Sequence, residues 1–127
     1  MEDSSKKFKF IHLNGAHVPY IYDKDMNIIN ELDGTYEQSA QATMVGAMDY
    51  VEHLRNSEAY DNTVLIVMSD HGYNGSLGQS GEATWMRQCA LLLIKGRNEH
   101  HDTMQISQAP ISFEDLQEAY TRLLDGK

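Results

Sequence analysis

Two short, uninterrupted runs of apolar residues stand out along the chain. Thr63–Met68 and Cys89–Ile94 each hold apolar or β-branched residues without polar alternation, and both are too short for a helix. Such runs are typical of buried strands in a parallel sheet, and Cys89 is interpreted as a small buried hydrophobe. A third segment, Phe8–Leu13, is rich in strand-forming residues and runs towards Gly15. The pattern therefore predicts three strands of one sheet.

A long helix is predicted between the Phe8–Leu13 and Thr63–Met68 segments. Thr35 and Gln38 have the spacing of a capping box, in which a hydroxyl and an amide satisfy two otherwise unpaired backbone N–H groups. Apolar residues then recur at helical spacing, which predicts a helix over Tyr36–Arg55. The predicted inner stripe of this helix consists of Ala40, Met44, Ala47, Met48, Val51 and Leu54.

A second helix is predicted near the end of the chain. Ser112 and Asp115 repeat the capping-box spacing, and apolar residues recur at helical spacing over Phe113–Leu124. Strands combined with amphipathic helices indicate an α/β fold in which helices pack on the sheet. A chain of 127 residues has room for one domain and one core.

The composition narrows the classes of function. The formal net charge is −9, whereas nucleic-acid-binding modules are usually basic, so the charge argues against a surface for a phosphate backbone. An anionic substrate would therefore have to be held by a local site. A single cysteine, Cys89, allows no internal disulfide. No run approaches the roughly 20 apolar residues of a membrane span, and the first residues lack an apolar signal core.

The candidate metal-binding and substrate-binding residues lie where predicted strands end. Asp70 and His71 directly follow the Thr63–Met68 run and Ser69, and a carboxylate beside an imidazole suits Zn²⁺ or Mn²⁺. His17 follows the first predicted strand on a loop that contains Pro19. The alternative interpretation is a strand that ends in an ordinary polar turn. The glycine-rich stretch Gly72–Gly81 is predicted to form a loop over the site.

The order of these parts resembles a known family. Gly-Ala-His-x-Pro-Tyr follows a strand, and Asp-Asn-Thr-Val-Leu-Ile-Val-Met-Ser-Asp-His-Gly and Arg-x-x-Ala-Leu-Leu-Leu-Ile-Lys-Gly follow a long helix. From about Phe8 to Leu124 the chain resembles the carboxyl-terminal half of the sulfatase-like domain of the alkaline phosphatase superfamily. The nearest group is that of the lipoteichoic acid synthases and phosphoethanolamine transferases.

The resemblance implies a fold, an activity and a site. The fold would be an incomplete alkaline-phosphatase-like sheet sandwiched by helices. The activity would be hydrolysis or transfer of phosphate or sulfate esters, including phosphoglycerol or phosphoethanolamine transfer. Asp70 and His71 would bind the catalytic metal, Zn or Mn, and His17 would contact the phosphate or sulfate group or the leaving group. The parent protein would be membrane-anchored, with this domain on its extracytoplasmic face.

The departures from the family pattern matter equally. Family members carry the nucleophile and an acidic metal ligand upstream of the first segment seen here, and many have an acidic residue at the position of Tyr73. Residues 1–127 are therefore expected to be the carboxyl-terminal portion of one domain, inactive and weak in metal binding without an amino-terminal half. A homo-oligomer is also expected, because the missing half would leave apolar surface uncovered. The alternative is a non-catalytic truncated domain that serves as a binding or structural module.

Overall fold

The computed structural model describes residues 6–73 and 89–125. Its elements in chain order are helix α1 (Tyr36–Arg55), strand β1 (Leu65–Met68), strand β2 (Leu92–Lys95) and helix α2 (Phe113–Asp125). Residues 74–88, which include most of the predicted glycine-rich loop, lie outside the described residues. In the described part of the chain, where the helices are α1 and α2, no helix is long and apolar enough to cross a membrane.

Helix α1 begins at the predicted capping box. Thr35 has extended backbone angles, and its Oγ1 accepts a hydrogen bond from the Gln38 backbone N–H at 3.2 Å. The Gln38 side-chain oxygen in turn accepts from the Thr35 N–H at 3.1 Å. The helix ends at Asn56, whose N–H donates to the Glu52 carbonyl. The predicted bounds are confirmed, because the signals at the start of the helix are local in sequence.

Helix α2 starts in the same way. One Asp115 carboxylate oxygen accepts from the Ser112 backbone N–H at 2.7 Å and from its hydroxyl at 2.8 Å. The Asp115 N–H donates back to the Ser112 hydroxyl at 3.2 Å. These bonds confirm the second capping box. The helix runs to Asp125, one residue beyond the predicted end.

The sheet consists of β1 and β2 in antiparallel pairing, with Leu65 opposite Lys95 and Met68 opposite Leu92. The prediction of a parallel sheet is therefore wrong. An apolar run without alternation marks a strand but does not fix the direction of its partner. Because each strand has one neighbour among the residues described, β1 is half-buried and not fully enclosed. Cys89 lies before β2 and is exposed, which corrects its assignment as a buried strand residue.

The segment Phe8–Leu13 is not a strand. It is irregular and exposed, and Phe8 keeps 72% of its surface accessible. No backbone hydrogen bond joins this segment to another strand within residues 6–73 and 89–125. It lies instead beside α1, where Lys9 Nζ is 4.8 Å from the centre of the Tyr50 ring. Strand-forming residues make a strand only when a neighbouring backbone pairs with them, and within the described residues none does so here.

The buried core is small. Of the residues that the structure describes, those that are buried are Ser39, Ala42, Val51 and Leu116. The predicted inner stripe of α1 is partly wrong, because Met48 is 49% exposed. The predicted packing of both helices on the sheet is also not seen. Among the described elements, only β1 and β2 contact each other extensively. Helix α2 reaches β1 through a contact of 3.5 Å between Tyr120 Oη and Met68 Sδ.

Lys95, the last residue of β2, ties the two strands together at one end. Its ammonium group donates to the carbonyl oxygens of Tyr60 at 2.9 Å, Thr63 at 3.2 Å and Gly96 at 2.8 Å. The same nitrogen lies 4.3 Å from the centre of the Tyr60 ring. A charged group with this many partners is well satisfied although it is partly buried.

Candidate functional site

Asp70 and His71 lie immediately beyond the carboxyl end of β1. Ser69 fixes this end of the strand, because its N–H donates to the Leu91 carbonyl at 3.1 Å and its hydroxyl accepts from the Leu91 N–H at 2.8 Å. The next turn is closed by a bond of 3.0 Å from the His71 backbone N–H to Asp70 Oδ1. The two side chains therefore leave a fixed strand end, and Asp70 is 89% exposed there.

The His71 ring is held in one tautomer. Its Nδ1 lies 2.6 Å from the Gly72 carbonyl oxygen. Because a carbonyl oxygen only accepts hydrogen bonds, Nδ1 carries the proton, and the neutral ring has its lone pair on Nε2. A backbone carbonyl in this position is a common outer partner of a metal-binding histidine.

The second ring nitrogen of His71 lies near the Asp70 carboxylate. His71 Nε2 and Asp70 Oδ2 are 3.7 Å apart. Two ligands on one tetrahedral Zn²⁺, with bonds of about 2.1 Å, stand about 3.4 Å apart. The two atoms thus lie close to the separation at which a single divalent ion can bind both.

His17 lies on a turn after the irregular first segment, as its neighbour Pro19 predicts. Its N–H donates to the Asn14 carbonyl at 3.4 Å, and the Val18–Pro19 peptide bond is cis. The ring Nδ1 is 2.7 Å from the Val18 carbonyl oxygen, so this nitrogen also carries the proton. In the neutral ring Nε2 is left free, as in His71.

Three tyrosines connect the two histidine-bearing segments at the start of α1. The Tyr73 ring stacks on the Tyr36 ring at 3.9 Å, and the Tyr20 ring meets Tyr36 edge-on at 6.1 Å. This tyrosine cluster, Tyr20, Tyr36 and Tyr73, brings the segment that follows His17 and the segment that follows His71 to one helix terminus. Burial raises the pKa of the Tyr20 hydroxyl, and the nearby Tyr73 and Tyr36 add to the effect.

Two glycines allow the His17 loop to lie close to α1. A Cβ on Gly34 would collide with the carbonyl oxygen of Tyr20, and a Cβ on Gly15 would collide with the hydroxyl of Thr43. The absence of a side chain at these positions therefore sets how near the loop approaches the helix. The tyrosine cluster depends on this close approach, since Tyr20 is one of its members.

The structure does not join His17 to the Asp70–His71 pair as a third ligand. Within residues 6–73 and 89–125, no group of three or more His, Cys, Asp or Glu side chains is close enough to hold a metal ion. Two ligands hold a transition metal weakly, because structural zinc sites use four protein ligands and catalytic sites use three. The described part of the chain therefore contains two candidate ligands and not a complete metal site.

A polar cavity lies at the end of the strand pair that is opposite to Asp70 and His71. It has a volume of about 760 Å³ and includes two histidines on the loop after β2. His100 Nε2 is 3.1 Å from the Asp61 carboxylate, and His101 Nε2 is 3.0 Å from the Glu99 carboxylate. Each imidazole is thus already paired with its own acid. Both histidines are exposed.

Sequence reasoning missed the tyrosine cluster. Tyr20 and Tyr36 lie 16 positions apart in the sequence, and Tyr73 lies a further 37 positions along. No local pattern connects them, and aromatic residues near a strand end are more often interpreted as packing. The cluster could be recognised only when the closeness of the loop to the start of α1 was known.

Comparison with known proteins identifies no relative. No family model matches the chain, and neither a curated protein nor a solved structure resembles it at a significant level.

Proposed function

We propose that this chain is the carboxyl-terminal portion of a metal-dependent, sulfatase-like domain that hydrolyses or transfers phosphate or sulfate esters. Asp70 and His71 each supply one ligand to a divalent ion, Zn²⁺ or Mn²⁺. The observation that carries the proposal is the pair of atoms His71 Nε2 and Asp70 Oδ2, 3.7 Å apart at the end of β1. The nucleophile and the remaining ligands come from an amino-terminal half of the domain.

The donor set fits a divalent ion of this kind. A carboxylate oxygen and a neutral imidazole nitrogen are both ligands of Zn²⁺ and Mn²⁺. The Gly72 carbonyl keeps the His71 Nδ1–H in place and leaves Nε2 free to bind. When bound, the ion offsets the negative charge that develops on the transferred phosphoryl or sulfuryl group.

His17 acts on the substrate in this proposal. Its Nδ1–H is occupied by the Val18 carbonyl, so Nε2 is the nitrogen that faces a ligand. When the ring is protonated, Nε2–H donates to a non-bridging oxygen of the ester or to the departing oxygen. A local donor of this kind is needed because the chain as a whole has a net charge of −9 and repels an anion.

The tyrosine cluster supports a common site. Tyr73 is two residues beyond His71, and Tyr20 is three residues beyond His17. Both rings contact Tyr36 at the first residue of α1. The two histidine-bearing segments therefore approach each other at this helix terminus, as a shared substrate site requires.

Metal binding by the chain itself is the first test. Titration with Zn²⁺ and with Mn²⁺ is expected to show weak binding that Asp70→Ala and His71→Ala abolish. His17→Ala and the control His100→Ala, at the opposite end of the strand pair, are expected to retain it. Zinc binding that survives both Asp70→Ala and His71→Ala would refute the ligand assignment.

Activity is the second test. The chain alone is expected to show no turnover of phosphate or sulfate monoesters, because it lacks the nucleophile needed for a covalent intermediate. A polypeptide that also contains the amino-terminal half is expected to be active and to lose activity on Asp70→Ala. His17→Ala in that protein should lower turnover with little change in metal content. Robust turnover by the chain alone would contradict the half-site assignment.

The incomplete ligand set favours a second candidate function. A truncated domain with two ligands and no nucleophile could serve as a binding or structural module, and within the described residues no third ligand is present. Metal binding and ester turnover by the polypeptide that also contains the amino-terminal half distinguish the two functions. If it binds metal tightly but turns over neither class of ester, the module is the better description.

A further inference from the structure

The backbone at Gly72 connects a candidate metal ligand to the tyrosine cluster. Its carbonyl oxygen lies 2.6 Å from His71 Nδ1 and fixes the tautomer of that ring. The next residue, Tyr73, belongs to the cluster. The Gly72 carbonyl and the Tyr73 nitrogen share one planar peptide group, so the carbonyl keeps its direction only while the Tyr73 backbone keeps its place.

Hydrogen bonds fix the chain on the amino side of Gly72. The Ser69 N–H and hydroxyl both bond to the Leu91 backbone. The His71 N–H donates to Asp70 Oδ1 at 3.0 Å. These bonds end at His71 and do not extend to the peptide group that follows Gly72. A glycine adds little constraint of its own, because it has no Cβ and allows a wide range of backbone angles.

On the carboxyl side of Gly72, the anchor is the ring of Tyr73. Its backbone makes no hydrogen bond to another residue in the part of the chain that the structure describes. The half-buried ring stacks on Tyr36, with the centroids 3.9 Å apart and the planes inclined by 28°. A stacked aromatic pair has a preferred geometry, so this contact restricts where the Tyr73 backbone can lie.

The partner ring is itself held in place. Tyr36 is the first residue of α1 and directly follows Thr35, the hydroxyl residue of the capping box. On its other side Tyr20 meets the Tyr36 ring edge-on, with the centroids 6.1 Å apart. Tyr36 is therefore a fixed support for the ring of Tyr73.

We propose that Tyr73 is a positioning residue for His71 and acts through the Gly72 carbonyl. Stacking on Tyr36 holds the peptide group so that its oxygen accepts the His71 Nδ1–H, and Nε2 is then the nitrogen that binds a divalent ion. Without the stack the peptide group rotates, and the ring exchanges between its two neutral tautomers. The role in metal binding rests on the proposed function, whereas the tautomer is a property of the chain itself.

The expected effect on metal binding is moderate. Loss of the outer hydrogen-bond partner of a metal-binding histidine lowers metal affinity by about 10–100-fold. Tyr73 acts on that partner and is not the partner itself, so the strength of the stack limits its effect. An aromatic pair shifts an equilibrium by about twofold to tenfold. Replacement of Tyr73 by leucine should therefore weaken Zn²⁺ binding by about this factor.

Nitrogen NMR of the His71 ring tests the tautomer without any metal. At about pH 9, where imidazole side chains are neutral, the wild-type ring is expected to carry its proton on Nδ1. Tyr73→Leu and Tyr36→Leu should shift the ring towards a mixture of both tautomers, whereas Tyr73→Phe keeps the stack and should resemble the wild type. Tyr50→Leu is the matched control, because Tyr50 is also a half-buried tyrosine of α1 but contacts Lys9.

Zinc titration of the same variants tests the consequence for metal binding. Tyr73→Leu should bind Zn²⁺ about twofold to tenfold more weakly, and Tyr73→Phe and Tyr50→Leu should bind it as the wild type does. Circular dichroism on each variant establishes that α1 is retained.

Two results would overturn the proposal. One is a His71 tautomer that neither Tyr73→Leu nor Tyr36→Leu changes. The other is a Tyr73→Phe variant as impaired as Tyr73→Leu, because the hydroxyl and not the stack would then be responsible. A wild-type chain that binds no zinc would refute the metal site of the proposed function, and the NMR result would still decide whether Tyr73 positions His71.

Discussion

Replacement of Thr35 by alanine should loosen the first turn of α1, where Tyr36 holds the two histidine-bearing segments together. The substitution removes the hydroxyl that accepts the Gln38 N–H at 3.2 Å. The return bond, from the Thr35 N–H to the Gln38 side chain at 3.1 Å, uses the backbone and can still form. One of the two bonds of the capping box is therefore lost.

The expected cost follows from that single bond. Loss of an N-cap hydroxyl lowers the free energy of unfolding by about 1 kcal/mol, within a range of about 0.5–2 kcal/mol. A loss of about 1 kcal/mol increases the unfolding equilibrium constant about fivefold. For a chain of this size the melting temperature should fall by about 3–6 °C.

Urea unfolding followed by circular dichroism measures this change. The unfolding midpoint should fall while the slope of free energy against urea stays constant. Thr35→Ser keeps a hydroxyl and should retain most of the stability. Thr121→Ala is the matched control, because its hydroxyl bonds the Gln117 carbonyl inside α2 and caps no helix end. A loss for Thr35→Ala no larger than that for Thr121→Ala would refute the reasoning.

Two further predictions concern α2 and the His17 loop. Hydrogen bonds from the Ser112 N–H and hydroxyl lower the pKa of the Asp115 carboxyl, so its contribution to α2 is complete above the unfolded pKa of about 3.9 and is lost as the pH falls through the lower folded value. Acid titration of helicity should be flatter for Asp115→Asn, and an identical curve would contradict the capping role. Gly34→Ala should cost about 1–3 kcal/mol in urea unfolding, because its Cβ meets the Tyr20 backbone oxygen. Gly96→Ala is the control and should cost less, since its Cβ meets the movable Glu99 carboxylate at 2.9 Å.

The parts of the fold that could be predicted from the sequence depend on neighbours a few positions apart. The start of α1 and the start of α2 are set by Thr35 with Gln38 and by Ser112 with Asp115, and both capping boxes form as predicted. Such bonds are made within one turn, so the sequence contains both partners at fixed spacing.

The parts that could not be predicted depend on distant partners. Phe8–Leu13 has the composition of a strand but lies beside α1 with no strand partner in the described part, and the direction of β2 relative to β1 is antiparallel. Neither property is encoded at short range. The spacing of Met48 predicts a core position, yet spacing alone does not distinguish a face that packs within the chain from one left open.

The candidate site also has one part that could be predicted from the sequence and one part that could not. The position of Asp70 and His71 just beyond a strand follows from the sequence and is confirmed. Three features are visible only in the structure: the separation of their ligand atoms, the tautomer set by Gly72, and the contact between Tyr36 and Tyr73. These features depend on side-chain torsions and on the closure of long loops, for which the sequence has no short-range signal.

The Lys95 ammonium group has a consequence for how the two strands find their alignment. Strands β1 and β2 have four residues each and are not joined by a tight turn that would fix their offset. A slip of two residues would keep every side chain on its own face, so apolar contacts alone discriminate poorly against it. That slip would move Lys95 by about 7 Å, out of reach of the carbonyl oxygens of Tyr60 and Thr63. The Lys95 ammonium group at one end, with the Ser69–Leu91 bonds at the other, thus favours the alignment that a hairpin turn provides in other two-stranded sheets.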